Sequence, residues 1–312
     1  MTEPSPAGSA PAQEWWGTEE ACVRYGDKLA LDHVTFHAMP GRVSAVVGGD
    51  GAGRTTLLRC LAGALAVTSG RAWLPPPMRI GYLSAGSGVY PDLSVDENLA
   101  FRATAYQLPV AVARERGSEL LERAGLSGAR DRLAGRLSGG MRQKLGVIAA
   151  MLHQPDLLVL DEPTTGVDPV SRADLWWLIA RAAANGAAVV FATSYLDEAE
   201  RALDVLALDA GRELASGTPE EIVAAMPGTL RVSDARPEGD ARRRAWRRGG
   251  RWRTWDPPGE PREPGRQAGA AVGGDGRVVA PDLQDAVTVA ILARELAAAG
   301  AASGEPDGGG SR

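Results

Sequence analysis

Apolar and polar residues nearly alternate along Leu31-Asp32-His33-Val34-Thr35-Phe36, which predicts a half-buried strand. The run Val43-Ser44-Ala45-Val46-Val47 predicts a buried strand that enters a glycine-rich turn and then a helix near 54–63. Residues 94–124 set acids and arginines around leucine and alanine faces and predict mostly helix, broken near Pro109. Another helix should follow Gly140. Strands recur at 157–160, 188–192 and 204–208, between helices near 170–184 and 196–202. This alternation predicts a largely parallel sheet covered by helices, with a helical insertion at about 85–150.

The pattern changes after Gly217. Residues 228–280 are rich in Gly, Pro and Arg, and 241–255 hold seven arginines and three tryptophans with no acid. This basic segment reads as a loop. It is either solvated and featureless or able to meet phosphates, bases or anionic headgroups. A strand-like Arg277-Val278-Val279 precedes a helix at 282–299. The expected division is a disordered tail at 1–17, a main domain at 18–217, an accessory region at 218–300 and a second disordered tail at 301–312.

Composition adds limits. The 312 residues suit one large domain with an appendage, or two modest ones, and 44% hydrophobic content suits a sizeable core. A net charge of −5 makes no general case for nucleic acid or membrane attraction. Only Lys28 and Lys144 among the 34 basic residues are lysine. Cys22 and Cys60 lack metal or redox spacing and read as reduced, buried thiols. The N-terminus shows no signal-peptide pattern, and no apolar run reaches the roughly 18 residues that span a bilayer.

Three motifs carry chemistry. Gly48-Gly49-Asp50-Gly51-Ala52-Gly53-Arg54-Thr55-Thr56 joins a strand to a helix, where glycines let backbone N–H groups converge on phosphate oxygens. Leu137-Ser138-Gly139-Gly140-Met141-Arg142-Gln143 puts a hydroxyl and two glycines at a helix N-terminus, which can hold a terminal phosphate. Leu157 to Leu160 runs into Asp161-Glu162-Pro163, followed by Gly166-Val167-Asp168-Pro169. One acid can organise Mg²⁺ and the other can activate water.

In this order and spacing the motifs resemble the ATPase subunit of an ABC transporter, over residues 20–217. The resemblance implies an α/β fold with a P-loop NTPase (RecA-like) core, a β-subdomain, the helical subdomain insertion and a small C-terminal extension. It implies ATP and Mg²⁺ as cofactors. Gly48, Gly51, Ala52, Gly53, Arg54, Thr55 and Thr56 would surround the phosphates. Thr55 and, through water, Asp161 would hold Mg²⁺, and Glu162 would orient or deprotonate the attacking water. Tyr25 would stack on adenine, or else is a partly buried strand tyrosine. Ser138, Gly139, Gly140, Gln143 and Asp168 match the segments that a head-to-tail dimer lends to its partner's site.

Three positions depart from the family pattern. Arg54 stands where the loop carries lysine, Ala85 where a glutamine touches Mg²⁺, and Ser194 where a switch histidine is expected. A guanidinium is a wide planar fork in a loop shaped for a compact ammonium. Either Arg54 reflects the chain's arginine bias with function kept, or phosphate binding is weakened. All three lie on the chain's own half of a site, while the donated Ser138-Gly139-Gly140 is intact. The expectation is an asymmetric dimer with a second ABC ATPase chain, a different chain being favoured over a second copy, bound to a separate transmembrane permease on the cytoplasmic face of the membrane. Tyr90-Pro91-Asp92-Leu93-Ser94-Val95-Asp96-Glu97-Asn98-Leu99, Ser194-Tyr195-Leu196-Asp197-Glu198-Ala199-Glu200 and Pro281-Asp282-Leu283-Gln284-Asp285-Ala286 are similar to the drug and antibiotic exporter branch. The alternatives are a regulatory pseudo-ATPase without hydrolysis and a nucleic-acid-associated ABC ATPase, the latter without support in the overall charge.

Overall fold

In the computed structural model, which describes residues 15–259 and 276–303, β1 (Trp16–Tyr25) and β2 (Lys28–Ala38) fold back on each other at Gly26-Asp27, with Gly26 at φ 56. The chain continues through β3 (Val43–Gly48), α1 (Arg54–Leu61), β4 (Ser69–Trp73) and β5 (Ile80–Leu83). Next come α2 (Val95–Ala105), α3 (Val110–Arg123) and α4 (Gly139–Met151). The remainder of the main domain is β6 (Leu157–Asp161), α5 (Pro169–Ala184), β7 (Ala188–Thr193), α6 (Leu196–Ala199), β8 (Asp204–Asp209), β9 (Arg212–Gly217) and α7 (Pro219–Ala224). Then follow β10 (Thr229–Ser233), β11 (Ala245–Arg248), β12 (Arg251–Asp256), β13 (Arg277–Val279) and α8 (Leu283–Ser303).

The central sheet runs β5-β6-β7-β3-β8-β9, parallel except for β9. Every residue of β6 and β7 is buried, as strands covered on both faces must be. Alternate side chains serve opposite layers. Leu158, Leu160, Val189 and Phe191 pack with α4 and α5, while Leu157, Val159, Ala188 and Val190 pack with Leu57, Leu58 and Leu61 of α1. The antiparallel sheet β2-β1-β4 closes over α1.

The helical insertion is built around α4, ten of whose thirteen residues are buried. That burial explains Gly146, where a Cβ would fall 2.2 Å from the Ser87 carbonyl oxygen. Ser94 and Glu97 form a reciprocal capping box on α2. Asn98 then ties the preceding loop down. Its Oδ1 accepts from the Tyr90 N–H at 2.8 Å and its Nδ2 donates to the carbonyls of Tyr90 and Leu93 at 3.1 Å.

Three expectations at the edges need correction. Trp16 and Gly17 belong to β1, and Gly17 is needed because a Cβ would meet the Phe36 carbonyl oxygen at 1.8 Å. The final helix reaches Ser303, past the expected start of the tail. Residues 1–14 and 304–312 lie outside the described residues. The expected basic loop at 241–255 is instead a 3₁₀ turn and the hairpin β11–β12, within a sheet ordered β11-β12-β10-β13. Gly249 and Gly250 both take positive φ, as a two-residue hairpin turn requires. Arg248 is 2.6 Å from Asp282, and Arg253 pairs with the fully buried Asp285. Those acids sit at the start of α8, well downstream of the segment, so these two arginines are neutralised from outside it.

His153, just after α4, stacks on Tyr106 with ring centroids 3.6 Å apart, and its Nε2 lies 3.2 Å from the Ile80 carbonyl oxygen. Its Nδ1 is buried without a partner, and burial pushes the pKa down to about 4. The folded chain therefore refuses a proton that the unfolded chain accepts below about pH 6.5. This contribution is complete above that pH and is lost as pH falls towards 4, by roughly 3 kcal/mol in all. His153→Phe, which keeps the ring stack, should show a smaller fall in urea unfolding free energy between neutral and mildly acid pH than the parent. Equal slopes would rule this source out.

Candidate functional site

The glycine-rich loop leaves the carboxyl end of β3 and opens α1. Gly48 has φ 152, and a Cβ there would sit 2.4 Å from the Leu208 carbonyl oxygen and 2.8 Å from Ala52 Cβ. Gly53, at φ 106, is the N-cap of α1, and a Cβ would lie 2.8 Å from the Ala30 carbonyl oxygen. Gly51 is also at positive φ, and Ala52 is buried beneath the loop. A backbone of this shape turns N–H groups inward at a helix N-terminus, an arrangement that suits an anion. Thr55 and Thr56 occupy the first turn of α1.

Arg54 does not project into solvent. Its side chain is 12% exposed, with Nη1 3.1 Å from Glu162 Oε1 and Nη2 3.9 Å from Asp50 Oδ1. Glu162 is itself held. Its N–H donates to the Ala192 carbonyl at 3.0 Å, Thr165 Oγ1 donates to Oε2 at 2.8 Å, and its backbone takes φ 51. A non-glycine residue in that region is kept there by its surroundings. The preceding Asp161 is 2% exposed and its Oδ2 has no partner. Burial pushes its carboxyl up, the Thr55 hydroxyl bonded to it pulls down, and the Glu162 charge pushes up again. An unpartnered buried carboxylate oxygen beside a threonine hydroxyl fits a divalent cation, and the glycine cradle fits phosphate.

Ser138 is the N-cap of α4, its hydroxyl accepting from the Met141 N–H at 3.2 Å. Asp168 caps α5 by accepting from the N–H groups of Val170 and Ser171 at 3.1 and 3.0 Å. Those bonds, Ser171's first, hold its carboxyl below the usual range. The two helix starts meet, since a Cβ on Gly140 would be 3.1 Å from Ser171 and 3.2 Å from Asp168 Oδ2, while Gly139 faces Gly166. Gln143, buried on α4, reaches the Glu162 carbonyl at 3.4 Å. The Ser138 segment and the acids at the end of β6 thus share one surface.

The other expected positions surround this centre. Tyr25 ends β1 and is 46% exposed. Ala85 lies in an exposed turn after β5, and Ser194 in an exposed bend after β7. Glu198, to which the sequence assigns no role, is buried. Its Oε2 accepts from Thr164 at 2.6 Å and Thr193 at 3.1 Å, and Arg172 Nε lies 3.6 Å from Oε1. It ties the segment after Glu162 to the bend at Ser194. The only sequence signal for it is an acid at a helix start, which is too common to single out. Lys144, one of two lysines, is spent on structure, with Nζ 2.6 Å from the Ala124 carbonyl and 2.9 Å from Asp174.

A family model described as "ABC transporter" matches residues 31–165. The chain is 40% identical over 216 residues to the probable multidrug ABC transporter ATP-binding protein YbhF of Escherichia coli strain K12, covering 66% of this chain but 37% of that protein. It is 38% identical to the Nod factor export ATP-binding protein I of Cupriavidus metallidurans, covering 64% of this chain and 69% of the relative. The daunorubicin resistance ATP-binding protein DrrA3 of Streptomyces coeruleorubidus is 37% identical, with 66% and 68% covered. Among solved structures, an ATP-binding subunit of an ABC transporter superposes with TM-score 0.62 at 26% identity, over 67% of this chain and 92% of that one. CbiO1 of Clostridium perfringens superposes with TM-score 0.60 at 25% identity, over 68% and 92%. On this fold, around this glycine loop, such similarity means that the chain belongs to the family of ABC transporter ATP-binding proteins.

Proposed function

We propose that this chain is the ATP-binding subunit of an export complex, in which a dimer of ATPase domains couples ATP binding and hydrolysis to a separate membrane permease. A relative named for Nod factor export supports the direction of transport, and relatives named as a multidrug ABC transporter protein and a daunorubicin resistance protein are in keeping with it. No helix among the described residues is long and apolar enough to cross a membrane, which fits a permease on another chain and a place on the cytoplasmic face. The chain's own nucleotide site is impaired, while the Ser138-Gly139-Gly140 segment that it lends to a partner chain is intact.

The observation that carries this reading is the Arg54–Glu162 pair at 3.1 Å. The cation meant for the phosphates and the carboxylate meant for the attacking water neutralise each other. Binding a triphosphate has to draw Arg54 away before Glu162 can act. Thr55 and Asp161 are the groups that would hold Mg²⁺, and Gly48 to Thr56 those that would surround the phosphates. Bound there, the cation supplies positive charge to phosphate oxygens. The exposed Tyr25 supports stacking on adenine rather than a core role. Ala85 offers no polar side-chain atom, and Ser194 has neither the reach nor the optional charge of histidine.

Replacing Arg54 by the compact ammonium of Lys should tighten MgATP binding to the purified chain by about tenfold, since a charge-assisted bond is worth on the order of 1.5–3 kcal/mol. A fluorescent-nucleotide titration measures this, and unchanged or weaker binding would reject the impaired site. Steady-state hydrolysis by the chain alone should be at background. Turnover that vanishes in Glu162→Gln would instead make a homodimeric ATPase the better reading. With the partner present, Ser138→Arg should abolish turnover at the partner's site yet leave nucleotide binding at Arg54 unchanged. Persistence of that turnover would contradict the asymmetric dimer, and its absence in the unmutated complex would point to a regulatory subunit without hydrolysis.

A further inference from the structure

The β1–β2 hairpin is bulged three residues before Tyr25. Ala21 pairs with Val34 and Val23 with Leu31, so Cys22 alone faces both Asp32 and His33. Consecutive strand residues ordinarily point to opposite faces. Here His33 takes φ 54, and the bulge brings its side chain and that of Asp32 to the same place as Cys22. One ligand atom from each of the three lies within 4.8 Å of the others. The His33 N–H donates to Cys22 Sγ at 3.3 Å, and His33 Nδ1 is 2.7 Å from Asp32 Oδ1. With Arg24, Leu29, Thr68 and Ser69 they line a cavity of about 240 Å³.

We propose that Cys22, Asp32 and His33 form a binding site for a divalent cation of the zinc class, with water from the cavity completing a four-coordinate shell. Sulfur, imidazole nitrogen and a single carboxylate suit a borderline-soft cation, whereas Mg²⁺ and Ca²⁺ take oxygen donors. Three protein ligands and an open side give the shape of an exchangeable site. Arg212 donates to the other oxygen of Asp32, Oδ2, at 2.5 Å, which fixes the carboxylate plane without using the oxygen nearest His33. The His33 side chain is 67% exposed and can turn a ring nitrogen towards the cation without disturbing the core.

Binding balances as one substitution. The Cys22 S–H bond breaks, its electron pair forms the sulfur–metal bond, and the proton passes to water. Asp32 supplies a carboxylate oxygen and His33 a ring nitrogen, each donating a lone pair to the cation. The thiolate and carboxylate bring two negative charges against the cation's two, while Arg212 on Asp32 and Arg24 on the cavity wall add positive charge that lowers the affinity. Because binding releases a proton, affinity falls as pH falls. Cys60 makes the contrast, since it is fully buried and no comparable cluster surrounds it among the described residues. A cation at Cys22 would cross-link β1 to β2 at the base of the turn that presents Tyr25, whether or not Tyr25 stacks on a base.

The test uses the full chain without an affinity tag, stripped with a chelator and titrated with Co²⁺ and then Zn²⁺ at neutral pH. One equivalent of Co²⁺ should produce a near-ultraviolet thiolate-to-cobalt band together with the visible absorption of a four-coordinate ion, and Zn²⁺ should displace it. Cys60→Ser should keep the band and Cys22→Ser should lose it. His33→Asn should weaken Zn²⁺ binding by at least about tenfold. Asparagine tolerates positive φ, so this variant is expected to fold even if Cys22→Ser does not. Absence of the thiolate band in the parent chain, its survival in Cys22→Ser, or undiminished Zn²⁺ affinity in His33→Asn would each overturn the proposal.

Discussion

Burial of both faces of β6 and β7 is the constraint from which the site follows. A strand covered above and below can release a polar group only at its ends. Parallel register then brings several ends into one row. Asp161 pairs with Ala192, Val47 with Thr193, and Gly48 with Leu208. The glycine loop, the two acids and the Ser194 bend, more than a hundred residues apart from first to last in the chain, are thereby aligned along one edge. None of these segments could reach the others by local folding.

Along that edge the decisive contact is Arg54 with Glu162. Both side chains are largely shielded, at 12% and 18% exposure, so the pair is stronger than one on the open surface, and separating it leaves a charge to be satisfied. In the function proposed above, a triphosphate would satisfy the guanidinium and so free Glu162. Lysine at this position would offer a smaller, more mobile head, able to leave the carboxylate at less cost.

Much of this was legible in sequence where one segment carries its own signal. The apolar runs at β3, β6, β7 and β8 and the helical period on either side of Pro109 correspond to observed elements. The glycine loop and Asp161-Glu162 lie together, as the resemblance to the family implies. Signals that need a distant partner were not legible. All five residues of β4 are exposed, so no apolar pattern marks it, and β1 holds it in register. The bulge at Asp32-His33 leaves a sequence that still reads as simple alternation. Arg54 gives no hint of its partner because Glu162 lies over a hundred residues away, brought near only by the sheet.

The arginine and tryptophan segment shows the same limit from the other side. Composition made 241–255 a basic stretch, and a basic stretch implies a field that draws phosphates. Folding pairs Arg248 and Arg253 with Asp282 and Asp285, and Arg251 with Asp234, while Trp255 is buried with its indole N–H on the Pro227 carbonyl at 2.7 Å. A nucleic acid would have to displace the carboxylates of Asp282 and Asp285, set at the start of α8, to take over Arg248 and Arg253. The same bonds fasten the small sheet to α8, whose Leu283, Ala286 and Val287 are buried in the core shared with α4 and α5. Two of the segment's arginines, Arg248 and Arg253, thus attach the C-terminal region to the rest of the chain, while Arg242, Arg243 and Arg247 are exposed.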